Sequence, residues 1–286
     1  MDNIPKPIKD LANKTLTKVA DKFVDFVIVK YTGKSIKVFE AEGNIEADKV
    51  KTKWELLEKP FWLQAEAEKM DRQYSNLGNA LIKSTPLIES DKKPTGDNDV
   101  FWGLLEHSKE ISNEEMQDLI AKIIAGEYNK PGAYSMNTLQ RLKSLGEKEL
   151  RLFEQVCGLL LNGGQLPKKL FTGDDNVKEL MKELGLDFGN LQTLQSLGLF
   201  LPNDMTNNIP NPDRQKYSVN YFDETILFEP ENPQNQQTDT SIRVPGYYGL
   251  SDAGEQILTL LSPKKSDVYF QWLKKNYSIR NYKITT

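Results

Sequence analysis

Cysteine and histidine are almost missing from this sequence of 286 residues, which contains only Cys157 and His107. A single cysteine excludes an internal disulfide bond. Cysteine–histidine zinc sites need several such residues, and most activated nucleophiles need a base beside them. No phosphate-binding P-loop, dinucleotide-binding glycine pattern or nucleophile elbow occurs either. We therefore predict no catalytic residue, cofactor or metal site, and leave open an enzyme built from scattered carboxylates.

The sequence also lacks a long hydrophobic run. Its most apolar stretch, Phe23–Val29, has seven residues and contains Asp25. A membrane-spanning helix needs about 20 predominantly apolar residues, so none is predicted. The N-terminus shows no basic, then apolar, then small-residue signal, and we expect a cytoplasmic protein.

Charge is distributed unevenly, although the net charge is only −4. Residues 1–60 carry 12 basic and 10 acidic side chains, and residues 61–162 carry 12 and 16. Residues 163–262 carry 7 and 14, whereas residues 263–286 carry 6 and 1. Together with the turn-rich positions, this charge distribution predicts four parts. They are an amphipathic helical arm with a linker (1–60), a central helical domain (61–162), an acidic domain (163–262) and a basic, aromatic tail (263–286).

The central domain has the clearest helical pattern. Ser112 and Glu115 fit a capping box, in which each side chain satisfies a backbone donor at a helix start. Apolar residues then recur with the spacing of one helix face, and two shorter helices are predicted after Ser135 and from Glu147. Short loops between three helices indicate a compact helical module.

The acidic domain shows a different order of elements. Two short helices ending at Gly185 and Gly198 precede a predicted hairpin at 217–228, and a further helix follows Gly254. We therefore predict a mainly α protein with a C-terminal winged-helix-like α+β domain. Its candidate recognition helix, Gly189–Ser196, contains no Lys or Arg, which disfavours direct DNA reading by this domain.

One stretch supports a family assignment. The sequence from Ile111 to Gly132, continued by Thr138–Leu139 and Leu152–Phe153, resembles an uncharacterised bacterial domain family that is distantly similar to the abortive-infection alpha proteins. Two positions depart from the family pattern: Ile120 replaces its usual tryptophan and Asn137 replaces its usual arginine. The resemblance implies a cytoplasmic bacterial protein associated with defence, and it supplies no catalytic residues.

The tail has the composition of a polyanion-binding segment, because cations alternate with aromatic residues. Stacking rings and positive charges are what single-stranded nucleic acids require. The favoured interpretation is nevertheless that the rings pack the tail onto the body while the cations face water. The possible polyanion contacts are Lys264, Lys265, Lys274, Lys275, Arg280 and Lys283.

The arm is predicted to be an amphipathic helix from about residue 7 to residue 29. Its possible contact residues are Phe23, Phe26 and Val27. Such a helix either packs on its own protein, pairs with a second copy, or lies on an anionic membrane surface. Packing or self-association is favoured over the membrane.

Four further residues carry side chains that could take part in chemistry. Asp97 and Asp99 are spaced like part of a carboxylate metal site, with a solvated loop and helix cap as the simpler interpretation. His107 has no patterned partner, and Cys157 lies on an apolar helix face.

These observations favour a non-enzymatic anti-phage defence or stress component that binds other macromolecules, mainly proteins, and self-associates. A nucleic-acid-binding regulator that uses the basic ends is the alternative. A divalent-metal nuclease built on Asp97 and Asp99 is a third hypothesis.

Overall fold

The fold was obtained as a computed structural model, which describes residues 61–89, 99–172, 174–211, 215–231 and 241–285. The chain divides into two compact units, and the boundary falls between Leu139 and Gln140. The four-part division predicted from sequence stays a prediction.

The described part of the first unit is built around three helices, α1 (Phe61–Ser84), α2 (Asp99–Ser108) and α3 (Glu114–Asn129). Helix α3 packs against both α1 and α2. Its apolar residues recur every three or four positions, so they form one face that the neighbouring helices cover. The fully buried positions include Leu77 and Leu81 of α1, Leu104 and Leu105 of α2, and Ile120 and Ile124 of α3.

The start of α3 differs from the prediction by one residue. Asn113, and not Ser112, is the N-cap, and its side chain accepts a hydrogen bond from the backbone N–H of Met116 at 3.0 Å. Asparagine and serine cap helices about equally well, so sequence alone does not decide between neighbours. The next helix, α4 (Met136–Lys143), follows Ser135 as predicted, and the Ser135 hydroxyl accepts from the N–H of Thr138.

The described part of the second unit combines five further helices with strands. Helix α5 (Glu147–Cys157) starts at the predicted residue, and β1 (Gln165–Pro167) and a short 3-10 turn (Lys168–Phe171) follow. Helices α6 (Asp175–Glu183) and α7 (Phe188–Ser196) end in Gly185 and Gly198, whose φ angles of +65° and +72° favour glycine.

Three small sheets contain the described strands of this unit. Strand β2 (Phe200–Met205) and β1 both pair antiparallel with β7 (Tyr247–Leu250), which gives the order β1-β7-β2. A two-stranded ribbon joins β3 (Asn208–Pro210) to β6 (Ser241–Arg243). Helix α8 (Asp252–Leu258) follows β7.

The predicted hairpin exists, as β4 (Tyr217–Tyr221) and β5 (Glu224–Pro230), with Val219 opposite Ile226. It belongs to a separate sheet, because the C-terminal strand β8 (Tyr282–Thr285) pairs with β5. Helix α9 (Asp267–Asn276) covers this sheet, and its Phe270 ring stacks on Tyr221 at 5.7 Å between centroids.

These sheets correct the predicted fold class of a mainly α chain with a winged-helix-like end. The described residues form three small antiparallel sheets, and the C-terminal unit is α+β. The prediction was wrong because it missed β7, a strand of four residues whose partners β1 and β2 are distant from it in sequence. Pairing with those partners, and not local alternation, decides the strand character of β7.

Candidate functional site

The predicted polyanion contacts of the tail are spread over several surfaces of the second unit. Lys264 and Lys265 precede α9, Lys274 and Lys275 lie in its last turn, and Lys283 is in β8. Lys264, Lys274, Lys275, Arg280 and Lys283 are exposed. These cations therefore remain available to solvent, and their binding of a polyanion stays a prediction.

The structure brings two of these cations together at one aromatic ring. The Nζ atoms of Lys265 and Lys274 lie 5.3 Å and 4.8 Å from the centroid of Phe270. Lys265 also pairs with Glu224 of the β4–β5 hairpin at 2.8 Å. The hydrogen bond to Glu224 is the main cause that raises the pKa of Lys265. The carboxylate of Glu224 thus partly neutralises the positive charge of Lys265.

Most aromatic residues of the tail are buried, which agrees with the interpretation that they pack the tail onto the body. Tyr269, Phe270, Trp272 and Tyr277 are all buried, and Tyr269 is fully so. They pack α9 and the following residues onto the β4–β5–β8 sheet, where Phe228 meets Tyr277 at 6.0 Å. Bases cannot stack on rings that the protein core already covers.

A feature that the sequence analysis missed is an apolar groove in the second unit, which we call the Phe188 groove. It has a volume of about 400 Å³ and lies between the 3-10 turn, α6 and the start of α7. Its floor consists of buried aliphatic and sulfur-containing side chains: Leu170, Val177, Met181 and Leu186. Pockets of this size with apolar walls are typical of binding sites.

Phe188 forms one wall of the groove and is 48% exposed. Its ring meets the ring of Phe171 edge to face at 5.9 Å, and Phe171 in turn meets Tyr248 of β7 at 5.9 Å. The exposed ring is therefore held by a row of aromatic contacts that reaches the sheet. Rigid, exposed aromatic side chains next to an apolar depression are enriched in protein–protein interfaces.

Charges of both signs line the same groove. Lys178 and Lys182 of α6 are exposed on one side, and Asp187 is exposed at the start of α7. The Asp187 carboxylate caps α7 by accepting from the N–H of Asn190 at 2.9 Å. Lys178 pairs with Asp175 at 3.0 Å. The rim therefore has no single sign that would select an acidic or a basic ligand.

In the described part of the chain, the remaining candidate residues are not brought together into one site. Phe23, Phe26, Val27 and Asp97 lie outside the described residues, and Asp99 is the first residue of α2. Among the described residues, no group of three histidine, cysteine or carboxylate side chains could hold a metal ion. His107 lies half-buried in the last turn of α2.

Cys157 is the last residue of α5 and is buried. Burial raises the pKa of its thiol far above the usual range, and the charge of Glu154 adds to this effect. A thiol held in its protonated form is a poor nucleophile. The position agrees with the predicted apolar helix face.

The sequence contained a partial signal for the Phe188 groove. The periodicity of α6 identified Val177 and Met181 as buried, and Asp187 fits a helix cap. What sequence could not indicate is that Phe171, before α6, folds back to the same surface.

Comparison with known proteins identifies the family. Residues 66–274 match the model of a family described as "Protein of unknown function (DUF2806)", and the chain belongs to this family. The expected membership of an uncharacterised domain family is thus confirmed. No curated protein and no solved structure matches the chain. Among the described residues, no helix is both long and apolar enough to cross a membrane.

Proposed function

We propose that this protein is a non-enzymatic component of bacterial anti-phage defence or stress response, and that it acts by protein interaction and self-association through the Phe188 groove. The observation that carries this proposal is Phe188 itself, which is 48% exposed beside an apolar groove of about 400 Å³. Exposing an aromatic ring and apolar depression to water is unfavourable, and such patches usually mark interaction sites.

The defence context of the proposal rests on the resemblance of residues 111–153 to proteins distantly similar to the abortive-infection alpha family. The family to which the chain belongs has no described function, so it supplies no competing activity. An interaction role also fits the scattered positions of the carboxylates in the sequence, which follow no known catalytic spacing.

A phage-infection assay tests this proposal. Bacteria that express the wild-type chain are compared with bacteria that express Phe188→Asp, using plaque formation by a panel of phages. We expect the wild-type protein to reduce plaque numbers at least about tenfold for some phages. Phe188→Asp is expected to abolish the reduction, because a buried interface disfavours an unpaired carboxylate.

The matched control is Phe222→Asp. Phe222 is 47% exposed in the β4–β5 turn and is not among the residues that line the groove, so the same chemical change is made at a similar exposure. Its φ of +52° is a conformation that aspartate tolerates. Protection should survive this change. Unchanged plaque numbers with the wild-type protein for every phage would contradict the defence role.

A second candidate function is a nucleic-acid-binding regulator that uses the basic ends. The specific observation in its favour is that Lys264, Lys274 and Lys275, just before and at the end of α9, are all exposed. Exposed cations can neutralise phosphates, and binding then releases counterions. The buried tail aromatics limit this role to electrostatic contacts.

Fluorescence anisotropy with labelled single-stranded DNA and RNA tests the second candidate. It predicts affinity that falls steeply with salt and is lost in the triple variant Lys264→Gln, Lys274→Gln, Lys275→Gln. The control is Lys130→Gln, Lys143→Gln, Lys148→Gln, which removes three exposed positive charges elsewhere. Equal losses in both variants, or no salt dependence, would count against a specific basic site.

A further inference from the structure

We draw no further inference here: the strongest candidate, the Phe188 groove between the 3-10 turn, α6 and the start of α7, is already the interaction surface of the proposed function, and nothing in the described part of the chain shows what covers it.

Discussion

The rings of Tyr221 and Tyr269 meet edge to face at 5.3 Å inside the second unit, and their hydroxyl groups have opposite surroundings. The Tyr221 hydroxyl donates to the carbonyl oxygen of Gly158 at 2.8 Å and accepts from the N–H of Ser266 at 2.8 Å. The Tyr269 hydroxyl is buried with no hydrogen-bond partner in the described part of the chain. The Tyr221 hydroxyl therefore links the hairpin to the end of α5 and to the start of α9. Tyr269 contributes only its ring to the packing.

Tyr221→Phe should destabilise the protein by about 1–3 kcal/mol, because it leaves the Gly158 carbonyl and the Ser266 N–H without a partner. Tyr269→Phe is the matched control and should be neutral or slightly stabilising, since it removes a buried polar atom that makes no hydrogen bond. Urea unfolding at neutral pH measures both changes. Equal losses for the two variants would show that the Tyr221 hydroxyl does not link these elements.

Gly254→Ala should lower the free energy of unfolding by about 1–3 kcal/mol. A Cβ at Gly254 would lie 2.1 Å from the carbonyl oxygen of Leu199, so α8 would have to move away from the start of β2. Gly164→Ala is the control, because a Cβ there meets no atom within 4 Å. Thermal unfolding of both variants tests this, and a Gly254→Ala protein as stable as wild type would contradict the close approach.

Glu127→Ala should loosen the loop after α3. Glu127 is 1% exposed, and its carboxylate accepts from the N–H of Gly132 at 2.5 Å and from the N–H of Tyr134 at 3.1 Å. Hydrogen exchange should become faster at these two amides, because their acceptor is lost. Glu114→Ala is a control at an exposed carboxylate in the first turn of α3. Unchanged protection of Gly132 and Tyr134 would contradict the role of Glu127.

Cys157 should react with an aromatic disulfide reagent at pH 8 more than about 100-fold more slowly in the folded protein than in denaturant. Burial and the nearby Glu154 both raise the pKa of the thiol, so little thiolate forms, and the thiolate is the reacting species. Absorbance of the released thiol follows the reaction. Comparable rates in the two states would contradict the buried position of this residue.

Local patterns were predictable in this sequence because their determinants lie close together in the chain. The ends of α6 and α7 at Gly185 and Gly198 followed from the need for a left-handed backbone conformation. The β4–β5 hairpin followed from alternating apolar residues between Tyr217 and Phe228. The N-cap of α3 was displaced by one residue because Ser112 and Asn113 are both good caps.

The candidate site was less predictable, because its residues come together only through distant contacts. Composition left two interpretations of the tail aromatics, stacking surface or packing onto the body, and the contact that covers Phe270 comes from Tyr221, 49 positions earlier in the sequence. Phe188 lies just before the predicted helix Gly189–Ser196, and its exposure depends on how Phe171 and Tyr248 pack beside it.

The sequence by itself determined helices α3 and α4, the start of α5, the glycine-terminated helices α6 and α7, the hairpin, and the exclusion of an internal disulfide bond. Each of these follows from periodicity, backbone preference or composition. The tertiary structure alone decided that β7 pairs with β1 and β2, that β8 joins β5, which aromatic rings are buried, and that a groove forms beside Phe188. Strand pairing and burial depend on partners far away in the chain, and no local pattern specifies which partner is met.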